Sequence, residues 1–425
     1  MKNTTSTSVS RMLSLFALSL CLAIPAQAQQ SPAAPTNQDE VNRQLMRRLL
    51  ELEAEVNQLK AQAATATTAA VAAPAPAPAP PPPVEEPPQV NEVAPRLKLN
   101  VFGDVGYEWY NHVPDTFDFG SLDLFMSARL SQKVSVLGEA LFVAQSDNSV
   151  GVDVERLLLI YRQSDYFHAS VGRYHTWVGY YNTAFNKGEF LETAADRPFI
   201  YAFDDQGGVL PMQDIGVNLT GKIPSGKLGL NYVVEAGNGR AWGVNLEPTQ
   251  NYQDANTSKS INGGLFARPD KLPGLQVGFS VLHDNVTVPG PSVSETIATV
   301  HAVFINGNYE ILNEGVIVRH AESGGPVFNT GAFYSQLSRR FREFRPYFRY
   351  QYFNAPSDDP VYVYASANEY APLIDSGFVG RLNGPSAGVR WDFTEHPAVK
   401  FQYDRYSLRG QATENGLTIQ FAFTF

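Results

Sequence analysis

The sequence predicts an all-β fold, a transmembrane antiparallel β-barrel of sixteen strands preceded by a short coiled-coil helix and a Pro-rich linker. Three observations predict it. The terminal run GLTIQFAFTF puts Leu417, Ile419, Phe421, Phe423 and Phe425 on one side of an extended chain and Thr418, Gln420, Ala422 and Thr424 on the other, because successive side chains of a strand point to opposite faces. The same period of two recurs through 97–425, in stretches of the ~10 residues that a membrane strand needs. After Phe16 no Phe, Tyr or Trp occurs until Phe102, so the aromatic residues that a core or an interfacial girdle requires are confined to that region.

The elements follow in order. Lys2 and Arg11 accompany the apolar run MLSLFALSLCLAIP, and Ala26 and Ala28 frame a small-residue cleavage site before Gln29, so 1–28 reads as an export signal peptide. Cys21, the only cysteine, leaves with that segment, which excludes disulfides, thiolate metal sites and a cysteine nucleophile from the mature chain. Leu20 precedes it where lipidation would want a small residue. Cleavage also removes two basic residues and no acidic one, so the mature chain is more acidic than the formal -10 of the whole, and bulk charge gives no support to a nucleic-acid partner. No apolar run after the signal reaches the ~20 residues of a spanning helix, so a helical transport bundle is excluded.

Within 38–60, Asn42, Leu49 and Val56 occupy one heptad position and Leu45, Leu52 and Leu59 the other, the seam of a coiled coil. So short a helix gains its stability by association, and a helix lying on another surface is the alternative. Residues 61–95 are Ala/Thr-rich and then Pro-rich, a linker that has little to bury and cannot continue a helix. A docking ligand for an aromatic groove is its other reading.

The barrel occupies 96–425. Its expected strands are 97–110, 119–130, 133–145, 152–162, 166–174, 212–221, 227–236, 259–268, 273–284, 295–306, 310–321, 326–337, 341–353, 376–391, 397–407 and 412–425. Connections after even strands are short, whereas 175–211, 237–258, 285–294 and 354–375 after odd strands are long, which suits short periplasmic turns and long external loops. Leu97, Leu99, Val101, Val105, Tyr107 and Trp109 oppose Lys98, Asn100, Asp104 and Glu108 in the first strand. In a membrane the apolar face meets lipid and the polar face the lumen. By that parity Arg129, Arg345, Arg349, Arg390, Glu343 and Asp392 are pore-lining candidates. Mixed charges of this kind admit ion pairs that support the wall, weak selection of carboxylate-like anions through the planar guanidinium fork, or other solutes.

The long connection 175–211 holds Lys187, Glu189, Glu192, Asp196, Arg197, Asp204 and Asp205 among many aromatics. Folded inward it forms a constriction whose charges set a transverse field; left outside it is a solvated rim loop. An enzymatic reading needs a nucleophile beside a base. His112, His168, His175, His283, His301, His320 and His396 are scattered without a zinc-protease spacing, and no glycine-framed serine elbow is present, so no catalytic residue, metal site or cofactor is expected.

With the signal, the terminal strand ending in Phe425, the dyad-repeat strands and the long third external loop in view, the chain resembles the Gram-negative outer-membrane porins of the sixteen-stranded trimeric type. The run VNRQLMRRLLELEAEVNQL and the Pro-rich tether make it similar to the substrate-selective porins with an amino-terminal periplasmic coiled coil, dicarboxylate-uptake-like or phosphate-selective-like. That resemblance implies passive diffusion through a homotrimer set in outer-membrane lipid and lipopolysaccharide. It also implies insertion by the barrel assembly machinery reading Phe425, a constriction made by the third loop, and a trimeric stalk in the periplasm, for which contact with the cell wall is a further expectation. The acidic balance departs from the phosphate-selective pattern, which favours a mixed or small-organic-anion pore. A non-conducting barrel that organises the envelope through its coiled coil is the rival.

Overall fold

The computed structural model describes residues 96–425 apart from 112, 145–148, 186–188, 202–208, 243–247, 250–253, 255, 289, 291, 366–379 and 409–411. The expected signal, coiled-coil seam and linker lie outside the described residues, as do Lys187, Asp204 and Asp205 of the long loop. The described chain forms a closed barrel of sixteen antiparallel strands. In chain order these are β1 (Leu97–Tyr110), β2 (Val113–Asp118 and Ser121–Arg129), β3 (Val134–Ala144), β4 (Val150–Ser164), β5 (Phe167–His175) and β6 (Gln213–Lys222). They continue as β7 (Leu230–Gly237), β8 (Ser260–Ala267), β9 (Leu275–Val286), β10 (Val293–Ile305) and β11 (Tyr309–Glu322). The last are β12 (Val327–Arg339), β13 (Phe344–Ala355), β14 (Gly380–Trp391), β15 (Pro397–Leu408) and β16 (Glu414–Thr424).

Closure runs from Phe102 opposite Thr424 to Tyr110 opposite Gly416. Phe425 extends the seam, with its N–H donating to the Val101 carbonyl at 3.0 Å and its carbonyl accepting from Val101 at 2.9 Å. A closed ring leaves no strand edge unpaired, which hydrocarbon would penalise by several kcal/mol per group. Local chemistry makes the tight turns. Asn306 Oδ1 accepts from the N–H groups of Asn308 and Tyr309 between β10 and β11, and Ser131 Oγ does the same for Lys133 and Val134 between β2 and β3, the side chains standing in for a backbone turn.

Strand parity separates two faces. Leu157, Leu159, Phe279, Val281, Val300, Ile317, Phe348 and Phe421 are exposed on the outside, while Asp123, Glu139, Glu235, Ser280, Thr299, Gln402 and Lys400 are buried on the inside. Phe344 stacks on Trp391 with centroids 5.9 Å apart, and Trp391 meets Phe393 at 5.1 Å, an aromatic cluster at the short-turn end of the sort that sits at a membrane interface.

Three expectations are corrected. The second strand extends to Val113, beyond the expected start at 119, because VPDTFD continues the pairing with β1 and Tyr107 packs on Phe117 at 5.1 Å. Gly120, at φ +62°, breaks the strand there; a Cβ at that position would lie 2.3 Å from Asp104, whose carboxylate accepts from the N–H and the hydroxyl of Ser121. Glu343 is not on a strand: it lies exposed in the turn before β13, where its carbonyl accepts from Asp392 N–H at 2.8 Å. The inner face is also not polar throughout. Leu282, Val286, Val293, Ile297, Leu312, Val316 and Val318 form an apolar area on β9–β11 covered by residues of the long loop.

Candidate functional site

The connection between β5 and β6 folds into the barrel and crosses it. Its neck is closed by Thr176 N–H on the Met212 carbonyl at 2.9 Å. Asn182 Nδ2 strengthens the same junction, donating at 2.8 Å to the carbonyls of both Thr176 and Met212. The chain then turns through Gly179 at φ +104°, where a Cβ would lie 2.0 Å from the Tyr201 hydroxyl, so glycine alone fits. A short helical turn, α1 (Tyr181–Ala184), follows.

Glu314, on the inner face of β11, holds this first part of the loop. Its carboxylate accepts from the N–H groups of Tyr180 at 2.5 Å and Tyr181 at 3.0 Å, and from the hydroxyls of Tyr201 at 2.8 Å and Tyr334 at 2.5 Å. Tyr181 and Tyr201 stack at 5.4 Å beside it. Val178, Ile200, Val209, Leu210 and Met212 complete an apolar cluster with the inner face of β9–β11. On the other flank, Trp177 N–H donates to Glu235 of β7 at 2.9 Å.

Farther along, the loop is tied to β13–β15. Arg349 donates to the Asp196 carbonyl at 2.9 Å and pairs with the Asp196 carboxylate. Gln402 donates to Asp196 at 2.7 Å and accepts from Ala195 N–H at 3.1 Å. Phe199 N–H donates to Gln351 at 2.8 Å. Arg390 reaches the carbonyls of Phe190 and Glu192 and is braced by Asp392 at 2.7 Å, while Lys400 reaches those of Glu189 and Ala194. Arg345 donates to Thr193 Oγ1 at 3.2 Å and lies 3.7 Å from Glu310.

The structure therefore brings Arg345, Arg349, Arg390 and Asp392 together with Glu189, Glu192, Asp196 and Arg197, across more than 150 positions of chain. It leaves Arg129 apart, exposed at the last position of β2, and Glu343 in its turn. Arg349 and Lys400 are fully buried; their donors serve loop carbonyls, as well as the Asp196 carboxylate for Arg349. Arg197 keeps partial exposure and lies 3.9 Å from Glu189 and 3.7 Å from Glu192. Burial first, and the Glu189 carboxylate second, push the Glu192 carboxyl well above the usual carboxylate range. Among the described residues both Glu192 oxygens are buried and neither accepts from a cationic donor at hydrogen-bond distance.

Sequence reasoning passed over several of these groups. Lys400 and Gln402 alternate with Val399, Phe401 and Tyr403, so parity alone marks them as inward. Glu314 carries no such mark, because Leu312, Val316 and Val318 share its face of β11. Arg156, paired with Glu139, and Arg173, which donates to Asp153 at 2.9 Å, line the opposite wall. A further cluster sits at the long-loop end. His320 lies 2.7 Å from Glu295 through Nε2 and 2.7 Å from Asp359 through Nδ1, and Arg240 donates to Glu295 at 3.2 Å. Elsewhere, His175 lies 3.6 Å from Glu155 and His168 is on β5 near its start. Among the described residues no group of three His, Cys, Asp or Glu is arranged to hold a metal.

No protein-family model matches the chain, and no curated protein matches it. Solved structures do. The anion-selective porin from Comamonas acidovorans superposes with a TM-score of 0.56 at 10% identity, over 78% of this chain and 100% of that one. The outer membrane channel DcaP of Acinetobacter baumannii gives 0.52 at 10% identity, over 78% and 97%. OmpT of Vibrio cholerae, as its loop L8 deletion mutant, gives 0.50 at 12% identity, over 78% and 100%. The likeness is one of fold, the closed outer-membrane β-barrel.

Proposed function

We propose that the chain is a porin, a water-filled channel for passive diffusion of small hydrophilic solutes, small organic anions among them, across the outer membrane of a Gram-negative bacterium. The observation that carries this reading is the inverted polarity of the closed sheet: apolar residues outside, and charged or amide side chains inside around a folded-in loop. A sixteen-strand barrel encloses more space than its own side chains fill, and its polar interior holds water. A solute passing the loop meets Arg197, Glu189 and Arg345, the partly exposed charges of its crossing. It exchanges hydration for these groups and leaves down its gradient with no chemical step. The chain is not an enzyme in this reading. The resemblance of the sequence to porins with an amino-terminal coiled coil extends the proposal to a homotrimer among lipid and lipopolysaccharide, insertion through the barrel assembly machinery, and a periplasmic stalk that contacts the cell wall.

One observation favours a second reading, a closed barrel that organises the envelope: the loop is tied to β11 and β13–β15 largely by buried groups, among them Glu314, Arg390 and the fully buried Arg349 and Lys400. Planar-bilayer recording on the purified chain decides. Stepwise conductance, with a reversal potential shifted in a KCl gradient, is the expected result. Folded barrels that insert without conductance would overturn the channel.

A further inference from the structure

At the short-turn end, under the first part of the inward loop, lies a cleft of about 520 Å³, a volume in the range of small-molecule sites. Tyr180 of the loop forms one side, Gln276, Val303 and Ile305 on the inner face of β9 and β10 form the inner wall, and Leu275 at the start of β9 completes the lining. Arg268, in the turn between β8 and β9, stands at its edge. The turn is a built one. Arg268 N–H donates to Gly229 at 3.0 Å, Asp270 N–H to Lys227 at 3.1 Å, and Ile305 N–H to Gly274 at 2.9 Å, so two neighbouring connections clamp it.

The donors of the cleft are ordered by a relay. Arg268 Nε donates to Gln276 Oε1 at 2.8 Å, and its guanidinium lies over the Phe266 ring at 4.9 Å. A guanidinium only donates, so the amide oxygen of Gln276 must face it and the amide NH₂ must face His301. That NH₂ contacts His301 Nε2 at 3.0 Å, which makes Nε2 the acceptor and puts the proton of the neutral ring on Nδ1. Nδ1 of His301 is buried with no partner among the described residues, and its ring meets that of Tyr180 at 5.9 Å. Arg268 itself is exposed, and among the described residues its guanidinium is held through Nε alone, leaving the terminal nitrogens open to solvent. A planar, two-armed donor, tethered at Nε and over the Phe266 ring and otherwise open to solvent, therefore stands beside an apolar wall and a tyrosine ring.

We infer that this cleft binds the carboxylate of a small monoanionic solute with a flat apolar body, such as an arylcarboxylate. Arg268 takes the carboxylate through its two free arms. Tyr180, Val303 and Ile305 enclose the body, whose transfer from water supplies affinity at roughly 25 cal/mol per Å² buried. Asp270 on the rim opposes a second negative charge, so a dicarboxylate or phosphate is disfavoured. The site's role in transport rests on the channel reading; its occupancy does not.

Equilibrium dialysis of radiolabelled benzoate against the detergent-solubilised full chain, with protein-free micelles as blank, tests this. One saturable site per chain is expected, with neutral benzamide competing at least tenfold more weakly and phthalate more weakly than benzoate. Arg268→Gln lowers affinity at least tenfold, as loss of charge-assisted hydrogen bonds should. Arg268→Lys, which keeps the charge but not the fork, lowers it severalfold and serves if the first variant does not fold. Asp270→Asn improves phthalate binding. Absence of saturable binding, equal competition by benzamide, or indifference to both Arg268 variants overturns the site. Bilayer recording on the same preparation separates the two readings: binding without conductance removes the channel and keeps the cleft, and conductance without binding does the reverse.

Discussion

Arg349 shows what parity makes legible and where it stops. Alternation with Phe348 and Tyr350 is enough to put its side chain on the inner face, but its partner Asp196 lies 153 positions earlier in a loop with no period. A buried ion pair broken on one side costs ~3–5 kcal/mol. Because the Asp196 side chain keeps 38% exposure, water takes up part of that loss, and Arg349→Met should destabilise by about 2 kcal/mol. Thermal unfolding followed by circular dichroism in detergent measures it. Gly179→Ala forces a side chain into a positive-φ position already filled by the Tyr201 hydroxyl; a loss of ~1–3 kcal/mol is expected in the same assay. Glu192 moves the other way. Its folded pKa is raised, so the native chain holds this proton more tightly than the unfolded chain. The group is neutral in effect at pH below its unfolded value and destabilises increasingly as pH rises past it. Glu192→Gln should therefore stabilise by about 1–2 kcal/mol at pH 7 and by much less near pH 4. Equal shifts at both pH values would count against that origin.

Elements differ in how much of themselves they disclose. Each of the sixteen expected strands is present, and most ends agree within a few residues, because a strand with lipid on one side and water on the other must alternate. The departures have local causes: Pro114 and Asp115 read as a loop, yet that segment pairs with β1 beyond the break at Gly120. The interior apolar area on β9–β11 was not legible either, since Ile297 or Val316 on an inward position has no meaning until the loop that covers it is known. The β13–β14 connection gives the element-scale prediction. Asp359 and Val361 are buried at its start, and Asp359 is held by His320, which also touches Glu295. His320→Ala removes that bridge and leaves both carboxylates without it, so limited proteolysis of intact barrels should cut within 356–365 faster than in the wild type. Unchanged cleavage would show that Tyr362 and its neighbours hold the connection unaided.

For the molecule as a whole, the wall was readable and the interior only in part. That the long connection is rich in aromatics suggested packing against a wall; that it uses β11 on one side and β13–β15 on the other is a tertiary fact. If those ties keep the loop across the lumen, excising 189–199, which carries Arg197 and the Asp196 anchor, should raise single-channel conductance severalfold while the barrel still inserts. Bilayer recording reads this directly, and an unchanged conductance would place the restriction elsewhere.

The anchors that seat the loop have a consequence in time. Glu314, Arg345, Arg349, Gln351, Arg390, Lys400 and Gln402 all lie more than 100 residues after the loop they hold. Such distant contacts form late, because the intervening chain must be ordered before they can exist. The loop is therefore seated only once it and the carboxyl-terminal third of the wall share one sheet, whichever joins first. The outside of this barrel can be built strand by strand, but its interior is decided only near the end of assembly.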